Sequence, residues 1–280
     1  MNNSNHSIQI VLVLYKTNLE DSLSYRTLCD SISVLSFNYE LLIYNNSPEY
    51  IIKNKSNYII FNAKNNEMLV GAYNYALQRA KDKKRNWLLL LDQDTCLSKE
   101  YFEQINMVIN FNENIVAIIP MLQNTELHLS PISYYPLLGP WLVKMNINKT
   151  GFLRNKTINA FNSTAILSVN ALEKIGGFSN EFPLDHLDYY IFYQLSKNGG
   201  YFYVMNVILQ HNLSVLDYKN KMTSERYISI IDSEFKFSKL LGILSVITFK
   251  LKLILRIFKQ LLLTERRPYI FITLKYLYKL

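Results

Sequence analysis

Two aspartates, Asp92 and Asp94, stand two residues apart at the end of the most apolar short run in the chain, Trp87-Leu88-Leu89-Leu90-Leu91. Carboxylates at that spacing concentrate hard oxygen donors at the edge of a buried strand. Such a pair suits Mg²⁺ or Mn²⁺ held jointly with the oxygens of a diphosphate. The same D-x-D spelling also describes a turn that leads into a capped helix. A second pair, Asp185 and Asp188, lies at the start of a helical pattern over residues 187–197. A carboxylate there can take a proton from a reacting hydroxyl, and it equally complements the positive end of a helix. His186, between them, reads as structural. His211 lies at the end of the apolar run 201–209, and is either a third metal ligand or a hydrogen-bonded packing residue.

The elements that must position these groups alternate in kind. Apolar runs at 8–15, 41–44, 58–61, 87–91 and 115–119 read as strands. Helical spacing appears at 19–35, 68–80 and from the N-cap Ser98 to about 111. The near-continuous apolar character of 8–15 suits a strand covered on both faces, and the run is too short for a membrane span or a convincing signal peptide. Alternation with short connections implies an α/β fold, a mostly parallel sheet with helices on both faces. Ligands of such sheets bind beyond the carboxyl ends of the strands. Residues 121–156, with Pro131, Pro136, Pro140 and Trp141, read as irregular. A strand at 164–169, a short helix at 171–175 stopped by Gly176-Gly177, the helix at 187–197 and the strand at 201–209 complete the body.

Charge divides the chain unevenly. Its 280 residues carry a net charge of +8, of which residues 232–280 hold +7, from ten basic and three acidic side chains. A neutral body with a basic, leucine-rich tail argues against a nucleic-acid binder, whose positive field belongs on the folded body. Two cysteines, Cys29 and Cys96, exclude a disulfide scaffold and a four-thiolate zinc site, and suit a reducing compartment. No phosphate-binding G-x-x-x-x-G-K-[ST] loop, G-x-G-x-x-G or G-x-S-x-G is present.

Five segments in order resemble family 2 of the glycosyltransferases, especially the bacterial rhamnosyltransferase-like branch that builds O-antigen and capsule chains. They are Val11-Leu12-Val13-Leu14-Tyr15, Ile43-Tyr44-Asn45-Asn46-Ser47, the run from Asn66 to Asn74 (NEMLVGAYN), Leu90-Leu91-Asp92-Gln93-Asp94, and Ile175-Gly176-Gly177-Phe178 followed by Phe182 to Asp188 and His211. The resemblance covers roughly residues 8–215. It implies a glycosyltransferase A type fold and inverting transfer of a sugar from a nucleoside diphosphate sugar to a hydroxyl of a lipid-linked surface-polysaccharide intermediate. By the same resemblance Tyr15 and Asn45 border the nucleotide, Asn66, Asn74 and Asp185 line the substrates, and Asp92 contacts the donor. Asp94 and His211 bind Mg²⁺ or Mn²⁺, and Asp188 is the catalytic base. Asn45 stands where the family usually has Asp, Met68 where it has Gly, Tyr190 where it has an acid and Gln194 where it has Arg.

The resulting division is a catalytic domain over 1–231, with a nucleotide-sugar half to about 120 and an acceptor half from 121, and a basic amphipathic tail over 232–280. The tail is expected to hold the chain on the anionic cytoplasmic face of a bacterial inner membrane without crossing it. Lys252, Arg256 and Lys259 would make a cationic stripe opposite Leu251, Leu255, Phe258 and Leu262, with Tyr269, Tyr276 and Tyr278 as anchors near the headgroups. Packing of the tail onto the body or a dimer contact is the plainer alternative. Two other functions compete. A nucleotidyltransferase should offer a Gly-rich basic loop after the first strand, and Tyr15-Lys16-Thr17-Asn18 offers none. A non-catalytic scaffold of the same fold should tolerate loss of Asp94 and Asp188.

Overall fold

The computed structural model describes residues 6–53, 58–111, 114–154, 157–211 and 222–279. These fall into two compact units, one within Met1–Pro131 and Asn146–Asn212, the other within Ile132–Met145 and Leu213–Leu280. Both cysteines are free thiols.

The first unit is built on a sheet of nine strands among the described residues: β1 (Ser7–Leu14), β2 (Asn38–Asn45), β3 (Ile59–Asn62), β4 (Trp87–Leu91), β5 (Ile115–Asn124), β6 (Leu127–Ser130), β7 (Gly151–Leu153), β8 (Ile166–Ser168) and β9 (Tyr201–Gln210). Their order is β3-β2-β1-β4-β8-β5-β9-β7, with β6 paired to β5. β1 pairs in parallel with both β2 and β4, β2 with β3, and β5 with β9. β8 runs antiparallel between β4 and β5, so β3, β2, β1, β4, β5 and β9 all point one way. All five residues of β4 and seven of the eight in β1 are buried. Strands so apolar must be covered on both faces.

Helices α1 (Leu23–Ser31), α2 (Met68–Asp82), α3 (Lys99–Val108), α4 (Val169–Lys174) and α5 (Leu187–Asn198) complete this unit. Ser98 caps α3 as its sequence suggested, its Oγ accepting from the Tyr101 N–H at 3.3 Å. The fold is of the glycosyltransferase A type, a mostly parallel sheet with helices, as expected. Three features differ from the sequence reading, the first being that β6 and β7 lie within residues 121–156, which read as irregular. β8 is antiparallel, and β5 runs on through Pro120 to Asn124 instead of ending at 119. Pro120 has no N–H to donate, and the register of β9 slips between Val204 and Ile208, opposite it.

The second unit contains helices α6 (Ser224–Leu241), α7 (Ile243–Leu262) and α8 (Ile270–Tyr278). Gly242, at φ 108°, separates α6 from α7. Two of the three cations of the expected stripe on α7, Lys252 and Arg256, turn inward, while Lys259 stays exposed. Lys252 Nζ and Arg256 Nη2 both reach Glu234 Oε1 on α6, at 2.6 and 2.8 Å. Lys252 also lies 5.0 Å from the centre of the Trp141 ring. Two of the three expected tyrosine anchors are likewise interior. Tyr269 donates to the Met222 carbonyl and Tyr276 to Asp232 Oδ1, each only 6% exposed. Tyr227, Gln260 and Thr273 form a buried hydrogen-bonded chain beside them.

Burial pushes the Lys252 ammonium down to about 8, against the opposing pull of Glu234. A lysine with a lowered folded-state pKa binds more protons unfolded than folded. Its charge therefore costs stability below about 8, and the cost fades as pH climbs toward the ordinary 10.5. Removing Glu234 is the damaging change, because it strands two cations at once. Glu234→Ala is expected to cost ~3–5 kcal/mol in denaturant unfolding of the full chain, while Lys252→Met is close to neutral. A loss under about 1 kcal/mol for Glu234→Ala would show that this charge cluster does not hold the unit together.

Candidate active site

The carboxyl ends of β1, β2, β3, β4 and β9 share one edge of the sheet, and the residues that follow them build the site. Asp92 and Asp94 leave β4, and His211 leaves β9. A backbone bridge between Thr95 and His211 ties the two exits together. The Cys96 N–H donates to the Gln210 carbonyl at 3.1 Å, and the His211 N–H to the Gln123 carbonyl at 2.9 Å.

These contacts bring Asp92, Asp94 and His211 into one cluster, with a ligand atom of each within 4.8 Å of the others. His211 Nε2 lies 3.9 Å from Asp92 Oδ2, and His211 Nδ1 lies 3.8 Å from Asp94 Oδ1. The imidazole side chain is only 7% exposed, whereas the Asp92 and Asp94 side chains are 30% and 39% exposed. The cluster is thus anchored at its histidine and open at its carboxylates.

Two hydroxyls that the sequence reading missed orient it. Thr95 donates to Asp92 Oδ1 at 2.8 Å, and Ser163 donates to the same oxygen. Thr95 Oγ1 also lies 2.8 Å from His211 Nδ1. A threonine has one hydroxyl proton. With that proton on Asp92, Nδ1–H donates to Thr95 and the lone pair of the imidazole sits on Nε2, toward Asp92 Oδ2. Partners of this kind fix the tautomer of a ligating histidine. Thr95 was within reach of the sequence, one residue beyond the D-x-D pair. Ser163, about seventy residues away, carried no such signal.

The donor set fits a divalent cation. Two carboxylates and an imidazole suit Mn²⁺, which accepts nitrogen more readily than Mg²⁺ does, and the open carboxylate side leaves room for phosphate oxygens.

The first strand is locked to this edge through Gln93, between the two aspartates. Its Oε1 accepts from the Tyr15 N–H at 2.8 Å, while the Tyr15 ring is 43% exposed. Asn45 is fully engaged by protein. It donates to the Tyr50 carbonyl and to Asn62 Oδ1, and accepts from the Ser47 N–H. Asn46 clamps the start of α2, accepting from Glu67 N–H at 2.7 Å and donating to the Met68 carbonyl at 3.0 Å. Met68, where the family has Gly, sits at φ 56°, a conformation that explains the usual glycine. Asn66 is exposed, its Oδ1 accepting from the Met68 N–H.

Asn74 pairs both ends of its amide with the backbone of Phe178, at 2.8 and 3.0 Å. A Cβ on Gly177, at φ 77°, would lie 2.9 Å from Asn74 Oδ1, so glycine is needed for that clamp. The amides of Asn45 and Asn74, read from the sequence as substrate-lining, are therefore spent on positioning the chain.

Asp185 and Asp188 are half-buried, on either side of His186 at the start of α5. His186 has φ 58° and stacks on Tyr189, ring centres 4.9 Å apart. Asp188 Oδ1 accepts from the Tyr189 N–H at 2.9 Å. The link to the acidic cluster is Tyr73 of α2, also missed in the sequence. Its buried phenol is held well above its usual pKa, first by burial and then by the charges of Asp92 and Asp188. One hydroxyl thus feels the charges of both carboxylates.

The model of glycosyl transferase family 2 matches residues 26–176, just over half of the 280 residues, and the chain belongs to that family. Asp185, Asp188 and His211 lie beyond the matched stretch. Solved structures of S. aureus TarS share the fold. TarS 1–349 superposes with a TM-score of 0.52 at 14% identity, covering 84% of this chain and 73% of that one. TarS 1–349 in complex with UDP-GlcNAc gives 0.54 at 13% identity, over 88% and 79%. Against a longer TarS the values are 0.53 and 14%, and the match spans only 43% of that chain. No curated protein sequence matches.

Proposed function

We propose that the chain is an inverting, metal-dependent glycosyltransferase. It moves a sugar, with rhamnose the first candidate, from a nucleoside diphosphate sugar to a hydroxyl of a lipid-linked surface-polysaccharide intermediate, at the cytoplasmic face of a bacterial inner membrane. The observation that carries this reading is the convergence of Asp92, Asp94 and His211 at the carboxyl edge of the sheet in a family 2 chain. Asp92, Asp94 and His211 would hold a Mg²⁺ or Mn²⁺ ion, which would offset the charge of a departing diphosphate.

The chain's own residues do the rest. Thr95 and Ser163 hold Asp92, and Thr95 sets the imidazole so that Nε2 faces Asp92. Asp94 supplies the more open carboxylate, and the exposed Tyr15 ring borders the nucleotide. Asp188 takes the proton of the acceptor hydroxyl as its oxygen attacks the anomeric carbon. The carbon–oxygen bond to the diphosphate breaks on the opposite side, which inverts the configuration. Holding donor and acceptor in line is where the fold contributes most to rate.

The test is mass spectrometry of products after incubating the full chain with Mn²⁺, a panel of nucleotide sugars and lipid-linked acceptors. Thymidine- and uridine-linked donors both belong in the panel, since TarS is crystallised with UDP-GlcNAc. Transfer of one sugar with release of nucleoside diphosphate is the expected result. Pyrophosphate release from a nucleoside triphosphate and a sugar phosphate would indicate a nucleotidyltransferase instead. No turnover with any donor would favour a scaffold.

Thr95→Val tests the positioning of the cluster. It removes a donor to Asp92 and the acceptor of the imidazole N–H. Mn²⁺ affinity, measured by titration calorimetry, should fall ~10–100-fold. Unchanged affinity would exclude Thr95 from that role.

A further inference from the structure

The apolar side of α7 faces outward. Ile247, Leu251, Ile254, Leu255, Phe258 and Leu262 follow one another at one-, three- and four-residue steps, with exposures from 39% at Ile254 to 82% at Leu262. At about 100° per residue they fall on one stripe of the helix. The charges of Lys252 and Arg256 lie on the other side, tied to Glu234 on α6. This reverses the pattern of a helix covering a water-soluble core, where charges face out and leucines face in. Exposed apolar patches of this continuity mark an interaction surface.

A second element of the same unit also exposes apolar side chains. In the segment Ile132–Met145, Leu137 is 63%, Leu142 47% and Val143 50% exposed. The segment is fastened to α7 by the Trp141 indole N–H on Ser245 Oγ at 2.7 Å and by the hydroxyl of Thr248 on the Leu138 carbonyl at 2.5 Å.

We propose that the second unit docks on an anionic lipid surface, with α7 lying in the interface plane and Leu137, Leu142 and Val143 inserting beside it. Charge selects this occupant. Lys250 and Lys259 stand at the two margins of the apolar stripe, and residues 232–280 carry +7 overall. Two copies packed through the stripe would oppose these like charges, whereas anionic headgroups neutralise them. No helix among the described residues is long and apolar enough to cross a membrane. A helix of 20 residues lying flat can instead bury its outward side chains at the headgroup boundary. The margin cations Lys250 and Lys259 replace the stripe of Lys252, Arg256 and Lys259 as the headgroup contacts. This docking does not depend on the transfer chemistry.

The experiment is flotation of the full chain with vesicles of phosphatidylcholine alone or mixed with phosphatidylglycerol, at low and high salt, with no sugar donor present. The wild-type chain should float with the anionic vesicles, less so in high salt. Leu255→Glu with Phe258→Glu should weaken binding about tenfold or more, since charge inserted at a bilayer boundary is costly. Both positions are exposed, so the variant should melt like the wild type. Lys250→Glu with Lys259→Glu should lower binding to anionic vesicles and leave the weak binding to neutral ones unchanged. Equal flotation of the Leu255/Phe258 variant and the wild type would overturn the proposal. So would a wild-type chain that ignores both vesicles and runs as a dimer that the same variant dissociates, since the stripe would then be covered by a second copy.

Discussion

Asp94→Ala is expected to lower sugar transfer by about a thousandfold or more, while the protein melts as the wild type does. Stabilisation of a leaving diphosphate by a metal is worth several kcal/mol, and each 1.4 kcal/mol is roughly tenfold in rate. Asp94 is the cleaner of the two acidic positions to test. Its side chain is 39% exposed on the stretch that leaves β4. Asp92, in contrast, accepts from both Thr95 and Ser163. Removing it would leave two hydroxyls without their acceptor and confuse loss of structure with loss of function. Mn²⁺ binding by calorimetry should vanish together with transfer. Full activity of Asp94→Ala, or of the wild type in excess chelator, would sink the metal-dependent reading.

The parts of this fold that were legible in the sequence are those where burial on both faces leaves a continuous apolar run. β1 and β4 are of this kind, and their expected and observed bounds agree to within a residue. The acidic pair was legible because it follows such a run directly, and His211 because it closes a mostly apolar strand with alternating burial. β8 was legible as a strand but not in its direction. Ile166 and Leu167 are both fully buried, and a run buried on both faces reads alike in either direction. The extension of β5 was hidden by Pro120, whose missing N–H is absorbed by a register slip in a partner strand far along the chain.

The tail shows a different limit. Helical periodicity identifies the two sides of α7 but not which one faces inward. Glu234 decides that, 18 residues before Lys252 and 22 before Arg256. At the site, Asn45 and Asn74 looked like ligand contacts because a short amide can serve either a ligand or a backbone. Their partners, Tyr50 and Asn62 for one and Phe178 for the other, become visible only once the chain is folded.

Asp188→Asn should retain donor binding and lose ~10²–10⁴-fold in transfer, the range for removal of a general base. The substitution is a fair one, because an amide oxygen can still accept the Tyr189 N–H that Asp188 Oδ1 accepts. The first turn of α5 therefore keeps its local support and loses only the ability to take up a proton. The buried Tyr73 phenol feels the charges of both Asp92 and Asp188, which raise its pKa after burial. Donor affinity, measured by displacement of a labelled nucleoside diphosphate, should match the wild type, so the loss should appear in kcat. Asp185→Asn is the comparison variant, three residues earlier and on the far side of the left-handed His186, and it should be mild. If Asp185→Asn is the more damaging change while Asp188→Asn transfers sugar normally, the base is Asp185. The turn at His186 then presents the earlier carboxylate to the acceptor. If both variants transfer at the wild-type rate, neither aspartate is the base, and proton removal must be assigned to another group at the carboxyl edge of the sheet.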